Sequence, residues 1–148
     1  MVTWEIQDSV LVLTTAGFGG LETLFALSEA VSHPAFRPDL ALLCDLRLET
    51  DDPSSEEMLW RAKFVAGLGI SRRCALVIGL HQYGIARMQA VHLEFEGMEP
   101  EVFRDMDEAR EWLAVVPPAA SQPHARTEKP ESVRAAAGRN AIRPTGTD

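Results

Sequence analysis

At 148 residues with a formal net charge of −8, the chain is long enough for one domain with a proper core. Without metal or disulfide staples that core can still form. The acidity is uneven: residues 116–148 hold five Lys or Arg against three acids, leaving nine bases and nineteen acids, a net −10, on residues 1–115. So acidic a region repels phosphate backbones and anionic membrane surfaces, which excludes nucleic acid and membranes as expected partners. No run of about twenty apolar residues marks a membrane span, and Met1-Val2-Thr3-Trp4-Glu5 lacks the basic and apolar regions of a secretory signal. The expected address is the cytoplasm.

Trp4 and Ile6 alternate with Thr3, Glu5 and Gln7, the period of a half-buried strand. Asp8-Ser9 supplies a turn, and Val10 to Leu13 forms the next strand, paired with the first as an antiparallel hairpin. Gly17-Phe18-Gly19-Gly20 breaks the chain. A helix then carries Leu21, Leu24, Phe25, Ser28 and Val31 on one side and ends at His33-Pro34. Leu40 to Cys44 is an unbroken apolar run too short for a helix, which suits a strand buried on both faces of a parallel sheet. An acidic loop, Glu49-Thr50-Asp51-Asp52, leads into a second helix, about Ser54 to Leu68. Ser54 with Glu57 has capping-box spacing, and Asp52 followed by Pro53 offers an alternative register. The expected charged face is Glu57, Arg61 and Lys63, with Met58, Leu59, Ala62, Val65 and Ala66 inward.

Cys74 to Leu80 is a further buried strand. The third helix, about Gln82 to Glu96, presents Ile85, Met88, Val91, His92 and Phe95 as a core stripe. Glu101 to Phe103 is a short last strand, and Asp105 with Glu108 caps a closing helix held by Trp112 and Leu113. The order β-β-α-β-α-β-α-β-α predicts an α/β domain over residues 1–115. Its sheet is mixed, mostly parallel and five-stranded, with about four helices. From Val116 onward, Pro117-Pro118, Pro123, Pro130 and Pro144 punctuate a stretch without aromatic residues, read as a disordered Pro- and Ala-rich tail over 116–148. Cys44 and Cys74 both fall in apolar strands and are expected to be reduced core residues. With no Cys-x-x-Cys and no His pair at ligand spacing, neither a metal nor a cofactor is expected.

Several short strings, taken with this order of elements, carry a resemblance. They are His33-Pro34-Ala35-Phe36-Arg37-Pro38, Asp45-Leu46-Arg47, Ser54-Ser55-Glu56, Tyr83-Gly84-Ile85-Ala86-Arg87-Met88 and Val102-Phe103-Arg104-Asp105. Over residues 3–114 the chain resembles the bacterial SpoIIAA-like domains of the STAS superfamily, which share their broad layout with CRAL-TRIO lipid carriers. The resemblance implies a non-enzymatic regulatory module acting through protein contact. In such proteins a Ser or Thr at the start of the second helix is phosphorylated, which controls binding to a kinase-type partner. That role falls on Ser54 or Ser55 alone, within Asp52-Pro53-Ser54-Ser55-Glu56 where the family carries an Asp-Ser-Ser/Thr-Gly-Leu string.

Parallel strands bring Asp45, Arg47, His81, Tyr83, Arg87 and Arg104 to one sheet edge, a candidate surface for a partner or an anion, since ligands meet the carboxyl ends of such strands. A carrier of a small amphipathic or lipid-like ligand is the alternative, with Trp60, Phe64, Met88 and Phe95 lining a pocket of several hundred cubic ångströms. A hydrolase is a remoter one: Ser55, His81 and Asp45 are the available trio, and no Gly-x-Ser-x-Gly elbow is present. The Gly17–Gly20 stretch reads as a tight turn, because a dinucleotide fingerprint would need glycine where Glu22 stands.

Overall fold

The computed structural model describes residues 1–115, so the tail expected over 116–148 lies outside the described residues. β1 (Val2–Gln7) and β2 (Val10–Gly17) form the hairpin. Its turn is closed by Asp8 at φ 56°, a left-handed conformation that a short polar side chain tolerates. Then follow α1 (Gly20–Val31), β3 (Ala41–Glu49), α2 (Ser55–Ala66), β4 (Arg73–Val77), α3 (Tyr83–Phe95), β5 (Glu99–Phe103) and α4 (Met106–Ala114). The strands lie in the order β1-β2-β3-β4-β5, parallel from β2 onward. The expected α/β architecture, a mixed, mostly parallel five-stranded sheet with four helices, is the one observed.

Each crossover from β2 steps one strand in the same direction. With the right-handed crossovers such units adopt, the three connecting helices must fall on one face. They do. Leu11, Leu13, Leu42, Cys44, Cys74 and Leu76 project into a core shared with Ala26 and Leu27 of α1, Ala62 of α2 and Ala90 and Leu93 of α3. The alternate residues Val12, Leu43, Ala75 and Val77 meet Ala109 and Leu113 of α4 on the other face. β3 is central and buried on both sides from Ala41 to Cys44, as its unbroken apolar run requires.

The helices bury different stripes from those expected. α1 turns Ala26, Leu27 and Ala30 inward and leaves Leu21 and Phe25 exposed; α3 buries Ala86, Ala90 and Leu93 and leaves Met88, Val91 and Phe95 outside. The strands already fill the layer with leucines, so alanines on the facing helices let the backbones approach and the layers interdigitate. On α2, Met58 and Ala62 are buried while Leu59 is exposed. The start of α2 follows the Ser54 register: Ser54 Oγ accepts from Glu57 N–H at 3.1 Å, and Glu57 Oε1 accepts from Ser54 N–H at 2.9 Å.

β3 runs on through Asp45 and Arg47 to Glu49, the expected first residue of the acidic loop. Thr14 pairs with Asp45 but Ala16 pairs with Leu48, so β3 accommodates one extra residue opposite β2. A bulge of this kind re-aims the side chains beyond it. Leu46 and Glu49, three apart, therefore both face the helix side.

The inward alanine stripe has a measurable consequence. Leu93→Ala should cost about 2–5 kcal/mol, whereas Phe95→Ala, 82% exposed, should change stability by less than about 0.5 kcal/mol. Urea unfolding of the two variants checks this, and an equal loss at both positions would contradict the helix orientation.

Candidate functional site

α2 packs chiefly on α3, and α1 packs over β1 and β2. Between α1 and α2, above the middle of the sheet, is a chamber of about 70 Å³ walled by Leu13, Leu24, Leu27, Leu76 and Leu93, with Cys44 and Cys74 also lining it. A second pocket of about 40 Å³ adjoins it through Leu46, Glu49, Arg61 and Gln89 and reaches Pro53 and Gln82. The hydrogen bond between the two thiols, reinforced by burial, pushes Cys44 well above the ordinary thiol range. Cys44 is accordingly a neutral lining group, not a nucleophile.

Where the two pockets meet, three charged side chains converge. Asp51, with only 2% of its side chain exposed, accepts from Arg61 Nη2 at 3.0 Å. It also accepts from Gly19 N–H at 2.9 Å and Gly20 N–H at 3.1 Å. These are amides at the start of α1, where unpaired donors and the helix dipole favour an anion. Gly17 and Gly20 have φ of 74° and 49°. A Cβ at Gly19 would lie 2.8 Å from Thr23 Oγ1 and 3.0 Å from Thr15 Cγ2. The glycine turn is thus also a carboxylate cradle, filled by the chain's own Asp51.

Glu49 lies 3.7 Å from Arg61 Nη1 and has 11% of its side chain exposed. Burial, followed by the hydrogen bond and negative charge of Asp51, pushes it from 4.5 up to about 7, with Arg61 pulling weakly the other way. Burial also acts to raise Asp51, but hydrogen bonds from Glu49, the two glycine amides and Arg61 outweigh it and hold that carboxyl below its ordinary 3.8. The two carboxyls therefore share one proton near neutrality. Arg61 Nε is buried and has no acceptor among the described residues.

The expected edge residues are distributed around this site. Arg47 grips Asp45 with two hydrogen bonds, at 2.8 and 2.9 Å, which holds the Asp45 carboxyl low, and Arg47 also feels Asp105. Arg104 stacks over Tyr83 at 5.8 Å. His81 and Arg87 are exposed at the turn before α3 and on its first turns. Asp45 is committed to Arg47, so it does not orient His81 as the hydrolase trio would need. Ser54 is engaged in the capping box, and Ser55 stands exposed beside it. Trp60, Phe64, Met88 and Phe95 do not wall the chamber; Met88 and Phe95 point to the outside, on the face of α3 opposite its alanines.

Glu49, Asp51 and Arg61 were not among the expected site residues, and Arg61 was assigned to the charged outer face. A signal exists: Met58, Arg61, Ala62 and Val65 follow i, i+3, i+4, i+7, so an arginine occupies a place in the buried stripe. The pH dependence of stability reports the cluster directly. Because the folded state raises Glu49, its contribution is fully present below pH 4.5 and is lost as pH rises through about 7, a span worth roughly 3 kcal/mol. Wild-type protein should thus lose stability between about pH 5 and pH 8 from this group, and Glu49→Gln should flatten that slope. Urea titrations at both pH values check it, and an unchanged slope in the variant would place the titration elsewhere.

No protein-family model matches the sequence, and no curated protein matches it. Among solved structures, the chain is similar to an uncharacterised protein of the DUF3478 family with a SpoIIAA-like fold from Shewanella loihica PV-4. The TM-score is 0.52 and the sequences are 21% identical, over 76% of this chain and 92% of that one. The domain has a SpoIIAA-like fold.

Proposed function

We propose that the domain is a non-catalytic regulatory module that docks a partner protein on the loop 48–57 and the N-terminus of α2, at the carboxyl edge of the sheet. What supports this reading is a set of large apolar side chains left in solvent at the ends of adjacent strands. Phe18, Leu48, Leu80 and Tyr83 are between 49% and 76% exposed. Large apolar side chains left exposed beyond the ends of neighbouring strands are the kind of surface that serves interaction. Arg87 and Arg104 border them, giving the rim polar donors.

Ser55 is the residue through which a phosphate would alter that contact. It is exposed, at the first turn of α2, beside Asp52 and Glu56. A phosphate there would meet favourable helix amides and unfavourable neighbouring carboxylates, changing the local potential sharply. Ser54 is less available, because its hydroxyl already accepts from Glu57 N–H. The lipid-carrier alternative draws less support, since about 70 Å³ falls well short of the several hundred cubic ångströms such a cargo occupies. Among the described residues, no helix is long and apolar enough to cross a membrane.

The test is affinity purification of full-length protein from its own host, with intact-mass analysis of the bait. Leu48→Asp and Leu80→Asp should each abolish retention of a protein that the wild type retains, while Phe95→Asp at the far end of α3 should keep it. A phosphate on Ser55 would add the regulatory step. Retention unaffected by Leu48→Asp and Leu80→Asp would overturn the proposed surface.

A further inference from the structure

The chamber is mostly hydrocarbon, yet Glu49 and Arg61 both reach its wall. The charges there do not balance. Arg61 is shared between Asp51 at 3.0 Å and Glu49 at 3.7 Å, so two carboxylates face one guanidinium. Near neutrality the deficit is met by a proton on Glu49. The other titratable groups in the lining are the Cys44 and Cys74 thiols, and their hydrogen bond, with burial, pushes Cys44 well above the ordinary thiol range. A second need lies alongside the first, since Arg61 Nε–H is buried without an acceptor among the described residues. The site can therefore take one cation in place of that proton and lacks one oxygen at Arg61 Nε, with apolar space in the same chamber.

We propose that this chamber binds a short-chain amino alcohol. The ammonium group pairs with Glu49, the hydroxyl oxygen accepts from Arg61 Nε–H, and the few carbons lie against Leu13, Leu27 and Leu76. Charge decides the class. With an ammonium present, Glu49 and Asp51 are matched by two cations, whereas a buried carboxylate ligand would leave an uncompensated negative charge. The field of residues 1–115, with nineteen acids against nine bases, also draws cations inward. Volume limits the size. A dry cavity of about 150 Å³ accepts benzene, with its six heavy atoms. Pockets of about 70 and 40 Å³ accordingly suit a molecule of four or five heavy atoms. The site lies beneath the loop 48–57 but uses Glu49 and Arg61 rather than the exposed Leu48, Leu80 and Tyr83, so it stands whether or not that surface is used.

Isothermal titration of the full chain with isopropanolamine at about pH 6, in two buffers of different ionisation enthalpy, tests the proposal. Binding should saturate at one ligand per chain and release close to one proton, because the ligand's positive charge lowers the Glu49 pKa. Isobutylamine replaces the hydroxyl by methyl, propylene glycol removes the charge, and lactate inverts it. Each should bind at least about tenfold more weakly. Glu49→Gln should weaken isopropanolamine at least about tenfold and abolish the proton release. Leu24→Phe, which fills the chamber without touching the charges, should block binding. Should Glu49→Gln fail to fold, the ligand ranking and proton release of the wild type decide the question alone. Lactate binding as tightly as isopropanolamine, no proton release, or no saturation by isopropanolamine would each overturn the proposal.

Discussion

The carboxylate of Asp51 ties together three parts of the chain that the sheet alone would leave separate. It holds the turn between β2 and α1 through two glycine amides, the end of β3 through its own backbone, and α2 through Arg61. Gln82 performs a similar service next door, donating to the Glu49 carbonyl at 2.7 Å while accepting from Gly79 N–H at 2.6 Å. The carboxyl ends of β2, β3 and β4 are thereby fastened to one another by side chains. In an open parallel sheet these are the loops that would otherwise depend on local turn propensity alone. Removing Asp51 would leave Arg61 buried without its best partner, a costly state for a guanidinium with 17% of its side chain exposed.

The polar cluster is compatible with an apolar interior because of how the helices are spaced. Alanines on α1 and α3 let those helices settle closely on the sheet, α1 over β1 and β2 and α3 over β5, while α2 leans on α3 and leaves room beside it. The bulge in β3 then turns Glu49 toward that room instead of toward α4's side of the sheet. Packing thus produces a small polar-tipped chamber, and topology puts it at the strand ends where open α/β sheets meet their ligands.

Most of the fold was legible in the order of elements. The apolar run Leu40–Cys44, the Asp8-Ser9 turn, the glycine break at Gly17–Gly20 and the Ser54 capping box each mark a boundary through local chemistry, and each acts where it was expected. Helix orientation was less legible. Leu21–Phe25 and Met88–Phe95 look like core stripes by hydrophobicity, but alanine stripes of the same period compete with them, and the leucine-rich strands decide the outcome. The polar cluster was hidden for a different reason. Glu49 and Asp51 read as loop acids, and only the extra residue in β3, which depends on pairing with β2, turns Glu49 inward. Arg61 was recoverable from its place among Met58, Ala62 and Val65. Among the edge residues, sequence brought Asp45 and Arg47 to the correct strand end without revealing that they grip each other.

The glycine turn at the head of α1 has the geometry that other folds use to hold anions from solution, but here the anion is a covalent part of the chain. Shortening residue 51 to alanine would leave two amides and a guanidinium converging on a hole the size of a carboxylate. Formate or acetate supplied from outside would then substitute for the missing side chain, so the architecture carries within it a latent receptor that its own sequence keeps plugged.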